Sequence, residues 1–502
     1  MTTAPSLITL NLADEAATKQ LGQDLALAVK PGDCLALHGD LGAGKSTLAR
    51  ALLRALAEDE GLEVPSPTFT LVQSYDLRIP ASHFDLYRLG DASELDELGF
   101  DEALESGICL VEWPERAQDR LPKDTISIAY SFSADGGRTL TITGLESKLS
   151  RIQRSLNIRN FLDTNGLSEA IRLHLAGDAS MRAYETIAVP GRPPMILMDA
   201  AKRPNGPPIR DGKPYSQIVH LAEDVYPFVA IGEMLKTKGL AAPAIFERDL
   251  DQGILLIEDM GRDGVLDESG QPIAERYQAA VSCLAHIHTL DIPREISVTE
   301  RYIHRIPDFD RVAMKMEAEL LIDWHIPWKL GREATAEERA DYLSIWDGLI
   351  DQLKTAETSL VLRDFHSPNI IWRGDKTGVD RVGLIDFQDA MIGPAAYDLA
   401  SLAQDARVTI ERPLMDALME RYISDRHTHG DFDEARFRRD FAIMAAQRNC
   451  KLAGLWFRLL KRDGKPGYMR HMPRTLTYLS IAFEHPALAT LRDWCAKLGL
   501  LH

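Results

Sequence analysis

An α/β fold in two parts is what this sequence predicts, the first part built on a mainly parallel sheet, the second running from strands early to helices late. Three observations predict it. A short apolar run at 34–37 enters a glycine-rich loop and leaves it through a stretch of strong helix formers at 47–57, the order strand, loop, helix. Further short apolar runs at 69–72, 83–86 and 108–113 read as strands of the same sheet. Beyond residue 150, strand-like runs at 195–198 and 254–257 give way to helical periodicity at 274–290, 342–353 and 440–460.

Each element follows from its local pattern. Ala17, Leu21, Leu25 and Ala28 recur at three or four positions and predict a helix over 14–29, ended by Pro31-Gly32. The acidic stretch 92–105 predicts another helix. Runs at 125–130 and 139–143, joined by Ala134-Asp135-Gly136-Gly137, predict a hairpin. Residues 146–151 are polar without a period, so a boundary is placed there, and the segment 155–162 resumes as helix. The predicted domains are 1–148, a small lobe at 149–260 and a large, mainly helical lobe at 261–502.

Composition bounds the function. A net charge of −18 argues against broad electrostatic coating of DNA or RNA, whose phosphates it would repel. The five cysteines, Cys34, Cys109, Cys283, Cys450 and Cys495, are scattered and never spaced C-x-x-C, which predicts neither a disulfide framework nor a zinc site. The first residues lack a basic leader region and no apolar run reaches membrane-spanning length, so a cytoplasmic protein with no membrane partner is expected.

The chemistry is carried first by G-D-L-G-A-G-K-S. Gly39, Gly44, Lys45 and Ser46 occupy every fixed position of G-x-x-x-x-G-K-[ST]. Glycines let successive backbone N–H groups face phosphate oxygens, the lysine reaches the β and γ phosphates, and the hydroxyl holds Mg²⁺. The predicted nucleotide contacts are therefore Gly39, Asp40, Gly42, Ala43, Gly44, Lys45, Ser46 and Thr47, and the cofactors are ATP and Mg²⁺. Such a site also needs an acid, and Asp85 and Glu112 each close an apolar strand.

With these residues in place the first part resembles a known family. H-G-D-L-G-A-G-K-S-T, S-P-T-F-T-L-V, H-F-D-L-Y-R-L, E-L-G-F-D-E and L-V-E-W-P-E-R, in this order over roughly 5–145, are similar to the small ATPase subunit of the bacterial complex that makes tRNA threonylcarbamoyladenosine. The resemblance implies a P-loop NTPase sheet domain. It implies that Ser46 and Asp85 serve magnesium, that Glu112 acts at the γ-phosphate and also borders the metal, and that Thr68 sits in a switch-like loop. It implies that Trp113 either stacks at the nucleotide or packs in the core. Its implied partners are the subunits carrying the transferase site, with tRNA met only indirectly.

A second phosphate chemistry stands in L-V-L-R-D-F-H-S-P-N-I-I-W and V-G-L-I-D-F-Q-D-A. The spacing from Asp364 to Asn369, followed by Asp386 after an apolar run, is that of a kinase catalytic loop and its metal aspartate. Asp364 suits the acceptor of the hydroxyl proton, and Asn369 and Asp386 suit ligation of Mg²⁺. G-D-A-S-M-R-A-Y, M-I-L-M-D-A, L-L-I-E-D-M-G, E-L-L-I-D-W-H, G-P-A-A-Y-D-L-A-S-L and K-R-D-G-K extend the similarity over about 155–495 to the aminoglycoside phosphotransferase superfamily, and within it to N-acetylmuramate/N-acetylglucosamine anomeric kinases.

That resemblance implies a two-lobed protein-kinase-like domain that phosphorylates the anomeric hydroxyl of an amino sugar. Glu258 to Met260 would meet adenine, and the loop holding Gly177 and Ser180 would cover the phosphates. Leu362 stands where kinases have a histidine before Arg363-Asp364. Met198-Asp199 stands where a kinase strand supplies its lysine, leaving Arg182 or Lys202 for that contact. His366 either binds substrate or braces the loop, Asp389 and Asp398 support it, and Asp323 and Trp324 either face the sugar or pack. Acceptor choice stays open between an amino sugar, an aminoglycoside, choline and homoserine. A module that binds nucleotide without turnover is the alternative for either half.

Overall fold

The computed structural model describes residues 6–132, 138–176, 182–202 and 206–501. The chain forms two compact units, Met1–Asp199 and Ala200–His502.

The first unit runs β1 (Ser6–Leu12), α1 (Glu15–Ala28), β2 (Cys34–His38), α2 (Lys45–Ala57), β3 (Val72–Tyr75), β4 (Ala81–Asp85), α3 (Glu94–Glu97), α4 (Phe100–Ser106), β5 (Ile108–Glu112), β6 (Ile126–Phe132), β7 (Arg138–Gly144), α5 (Glu146–Thr164), β8 (Ile171–Leu175), β9 (Ala183–Ala188) and β10 (Met195–Asp199). Its seven-stranded sheet has the order β1-β7-β6-β2-β5-β4-β3. Only the centre is parallel: β2 pairs with β5 and β6, and β4 with β5. The edges, β1–β7, β6–β7 and β3–β4, are antiparallel, so the expectation of a mainly parallel sheet is corrected to a mixed one.

Central strands are apolar throughout because both their faces are covered. Leu35 and Leu37 of β2 and Ile108 and Leu110 of β5 pack with Leu21, Leu25, Leu48 and Leu52 of α1 and α2. The alternate residues Cys34, Cys109 and Val111 pack with Phe84 and Phe100 on the other side. All five cysteines are buried free thiols. Three local expectations shift. Residues 69–71 are not strand; Leu71 has φ 64°, and β3 begins only at Val72. The helix expected over 92–105 breaks at Gly99, φ 71°, into α3 and α4. The patternless segment 146–151 is the first part of α5, with Leu149 and Ile152 buried in the core. The turn expected at Ala134 to Gly137 lies outside the described residues, between paired β6 and β7.

Helix α5 and the antiparallel β8, β9 and β10 are held to α1 by a buried ionic cluster. Arg172 of β8, 0% exposed in its side chain, bonds Asp24 of α1 at 2.8 Å and Glu185 of β9 at 2.7 Å. Arg159 of α5 joins Asp24 at 3.1 Å, and Ser155 donates to the Asp24 carbonyl at 2.7 Å. Residue 148, the expected domain limit, therefore lies inside a helix of this unit.

The second unit contains α6 (Tyr215–Ile218), α7 (Tyr226–Thr237), β11 (Ile245–Asp249), β12 (Ile254–Glu258), α8 (Ala274–Ile287), β13 (Glu295–Thr299), β14 (Tyr302–Arg305), α9 (Arg311–Ala318), α10 (Ile326–Leu330), α11 (Ala336–Gln352), β15 (Thr358–Val361), β16 (Ile370–Trp372), β17 (Val382–Leu384), β18 (Met391–Pro394), α12 (Ala396–Ala403), α13 (Arg412–His427), α14 (Glu434–Asp463), α15 (Met472–Ala482) and α16 (Ala489–Lys497). Two short antiparallel pairs, β15–β18 and β16–β17, frame the loop after β15. The long α14 passes the backbone of Leu320 at Gly454, where a Cβ would stand 1.9 Å from the Leu320 carbonyl oxygen. Gly454→Ala is expected to cost about 3 kcal/mol or more, since backbone and not a flexible side chain must yield. A urea titration measures it.

Candidate functional site

Two clusters of polar side chains are assembled, one in each unit. In the first, β2 ends at His38 and the chain turns through Gly39, Gly42 and Gly44 at φ 144°, 80° and 115°, a region closed to most side chains. Helix α2 starts at Lys45 and points its positive end into a cavity of about 590 Å³. Gly42, Ala43, Gly44, Lys45, Ser46, Thr47, Thr68, Asp85, Glu112 and Trp113 all line it. Gly39 and Asp40 do not, but their carbonyls accept the Lys45 ammonium at 2.6 and 3.0 Å. That ammonium also lies 3.9 Å from the Trp113 ring centroid, and burial lowers its pKa.

The two predicted acids are neighbours. Asp85 and Glu112 are register partners at the C-terminal ends of parallel β4 and β5, where open α/β sheets bind ligands. Glu112 accepts the Ser46 hydroxyl at 2.9 Å. Asp85 accepts Ser66 and Thr68 at 2.9 and 2.7 Å. Sequence reasoning missed His83, buried, whose Nε2 lies 2.9 Å from the other Glu112 oxygen. Its signal was present: His83 is two positions before Asp85, on the same face of β4. Arg138 and Phe132 also line the cavity, and nothing in their local sequence marks them.

In the second unit, β15 delivers the chain to Arg363, φ 72°, and Asp364. Asp398 at the start of α12 is fully buried and accepts the backbone N–H of both Leu362 and Arg363, so it fixes the approach to Asp364. The Asn369 amide donates to the Asp364 carbonyl at 2.9 Å and to Asp386 at 3.4 Å, tying the three predicted residues together. Asp386 stands at φ 59° and accepts the buried Gln388 amide at 2.9 Å, a partner missed in the sequence. Burial works to raise the Asp364 carboxyl, but Lys451, Arg448, His366 and Arg363 outweigh it and hold it below the usual range.

Under this loop lies Glu317, also fully buried, bonded to Arg363, to Lys451 at 2.7 Å and to Gln447 at 3.1 Å. Burial alone would raise its carboxyl; the two cations hold it at about 2. A folded pKa below the unfolded value of about 4.3 means the stability it contributes is complete above that value and lost as pH falls toward 2. Glu317→Gln is expected to flatten this part of the acid-unfolding curve, measured by urea titrations between pH 5 and 2.

The remaining predicted residues are dispersed. Glu258 and Met260 border a cavity of about 430 Å³ with Trp372 and Arg373, a lining that excludes Asp364, Asn369 and Asp386. Gly177 and Ser180 lie outside the described residues. Asp199 is paired with Arg154 at 2.6 Å, and Lys202 is exposed, 4.0 Å from Asp224. His366 is buried, 3.9 Å from Asp405, the placement of a brace. Asp389 accepts the Ala222 N–H at 2.6 Å. Asp323 is paired with Arg339 at 2.6 Å.

A glycine loop feeding a helix beside two strand-end carboxylates defines a P-loop nucleotide-binding domain, and the linked aspartate, asparagine and aspartate define a kinase-like phosphotransferase. The chain belongs to the phosphotransferase enzyme family over residues 173–438 and, over residues 12–140, to the family described as threonylcarbamoyl adenosine biosynthesis protein TsaE. Similar proteins divide the same way. An N-acetylmuramate/N-acetylglucosamine kinase of Caulobacter vibrioides is 32% identical over 66% of this chain and 93% of its own, and one of Pseudomonas aeruginosa 31% identical over 55% and 79%. The tRNA threonylcarbamoyladenosine biosynthesis protein TsaE of Bacillus subtilis is 38% identical over 28% of this chain and 87% of its own. No helix among the described residues is long and apolar enough to cross a membrane.

Proposed function

We propose that the chain is a cytoplasmic bifunctional enzyme with two separate ATP–Mg²⁺ sites. The first supports threonylcarbamoyladenosine modification of tRNA through partner subunits, and the second phosphorylates the anomeric hydroxyl of N-acetylmuramate or N-acetylglucosamine. The observation that carries it is that each unit holds a complete set of oxygen ligands beside a group able to handle a proton or a phosphate. The domains read as 1–148 for the P-loop module, 149–260 for the kinase small lobe and 261–502 for its large lobe.

At the P-loop, backbone N–H groups from Gly42 to Thr47 cradle the phosphates and Lys45 turns from the Gly39 and Asp40 carbonyls to phosphate oxygens. Hard oxygen donors suit magnesium, and Ser46, Asp85 and Glu112 supply them. Bound there, the ion would neutralise charge on the β and γ phosphates. Glu112, steadied by His83, orients the attacking water.

In the kinase site Asp364, ionised at neutral pH by its cationic surroundings, takes the proton of the sugar hydroxyl. Asn369 and Asp386, linked at 3.4 Å, would supply oxygen ligands to magnesium, which would neutralise charge on the phosphates. Glu258 and Met260 would meet the adenine. The relatives' names support an amino sugar as acceptor.

Lys45→Ala in the full-length chain tests the two-site reading. It is expected to reduce nucleotide hydrolysis by the first module at least tenfold, the loss of a charge-assisted phosphate contact, while N-acetylmuramate phosphorylation persists. Loss of sugar phosphorylation in the same variant would sink the reading. Co-purification of the chain with the tRNA-modifying transferase subunits tests the partner assignment.

A further inference from the structure

Strand β2, which feeds the glycine loop, divides the cavity of the first unit into two sides. On one side it pairs with β5, and there Glu112 and its register partner Asp85 form the acidic wall described above. On the other side it pairs with β6, and the sheet continues through β7 to β1. At that edge three side chains stand level on three strands: Phe132 is the register partner of Arg138, and Arg138 of Leu12. Register partners in antiparallel strands share a face. The residues two positions inward, Tyr130, Leu140 and Leu10, pack on the core, so Leu12, Phe132 and Arg138 carry the core face outward into the cavity, which all three line.

These side chains suit the nucleoside end of a nucleotide. Phe132 is 59% exposed, an aromatic ring beside the buried Leu12. Arg138 is half-buried, and its Nη1 stands 3.7 Å from where a Gly44 Cβ would be, so its guanidinium lies against the phosphate loop. Glu15, an acid in its electrostatic reach, is bonded to Lys19 at 2.8 Å. A guanidinium fork matches the oxygens of a phosphate, and an aromatic ring accepts the flat face of a base. A triphosphate chain is linear. With its γ end drawn to Lys45, Ser46 and the acids beside β5, its nucleoside end leaves toward β6.

We propose that Phe132 and Leu12 seat the nucleobase of the triphosphate and that Arg138 holds its α-phosphate. This rests on the P-loop reading above and goes further: it names what receives the nucleoside end, which the glycine loop does not reach. The loop binds phosphates whatever they are attached to. The edge formed by β6, β7 and β1 is what makes the site prefer a nucleotide to a free polyphosphate.

The test uses the full-length chain with ATP and magnesium, without sugar, in an assay of ADP release from which the rate of Lys45→Ala is subtracted. Inorganic tripolyphosphate, which has three phosphates and no base, is the competitor. On the wild-type chain its Ki is expected to exceed the KM for ATP about tenfold, the worth of one stacked base, a measurement independent of any variant's folding. Phe132→Ala is expected to raise the KM for ATP about tenfold and leave the Ki of tripolyphosphate unmoved, and Phe132→Tyr to keep the wild-type KM. Arg138→Gln is expected to raise both constants about tenfold, since both ligands place a phosphate there, and Arg138→Lys to recover part of the loss. Equal constants for ATP and tripolyphosphate in the wild type, or a Phe132→Ala variant that moves neither or both alike, overturn the base seat. An Arg138→Gln variant that moves neither constant overturns the α-phosphate contact. Absence of any Lys45-dependent ADP release overturns the P-loop reading, and this inference with it.

Discussion

Asp364→Asn in the full-length chain is expected to lower sugar phosphorylation about 10²–10⁴-fold, the usual contribution of a positioned general base. Nucleotide hydrolysis at the P-loop should not change. The substitution is close to isosteric, and Asn369 bonds the Asp364 main-chain carbonyl, so the loop keeps its geometry. Asp398 still holds the two preceding N–H groups. What disappears is a carboxylate that Lys451, Arg448 and His366 keep ionised below the usual range. The wild-type rate should therefore stay level through neutral pH and fall only in acid, as the base protonates. A coupled assay with N-acetylmuramate measures both effects, and unchanged turnover would show that Asp364 is not the base.

The second large effect is on stability. Asp24→Ala removes the carboxylate shared by Arg159 and Arg172, leaving two buried guanidiniums with one anion, Glu185, between them. Breaking a buried ion network by deleting one partner costs about 3–5 kcal/mol. Urea unfolding followed by tryptophan fluorescence should show the loss, and a change under about 1 kcal/mol would mean that water reaches the cluster and screens it. A chain begun after residue 148 would suffer the same loss, because Asp24 lies on the removed side.

The parts legible in the sequence are those whose chemistry is local. The P-loop must place glycines, lysine and hydroxyl within one turn, so Gly39 to Ser46 could be read directly. Asp85 and Glu112 could be read as strand ends, though not as register partners, since pairing joins residues 27 positions apart. The fusion of two phosphate chemistries was likewise written in contiguous motifs.

What escaped depends on distant partners. The edge strand β1 alternates, with Ile8, Leu10 and Leu12 toward the core and Leu7 63% exposed, but its partner β7 lies more than 120 positions away. The start of α5 looked like a linker because few of its residues are apolar; its order comes from Leu149 and Ile152 and from Lys148 and Arg151, which both reach Asp33 at 3.4 and 2.9 Å. Charge alone marked Asp24, Arg159 and Arg172, and only the fold makes them one cluster. Lys451 lies in a helical run whose periodicity says nothing of what its polar residues face.

The resting position of Lys45 has a consequence for nucleotide binding. Its ammonium already has two carbonyl partners and a ring face, so an arriving phosphate must replace them before it gains anything from the lysine. The loop thus carries its own competitor. Measured affinity at this site is the difference between two occupied states of one cation, and selectivity for a triphosphate grows from what the third phosphate adds over that internal reference.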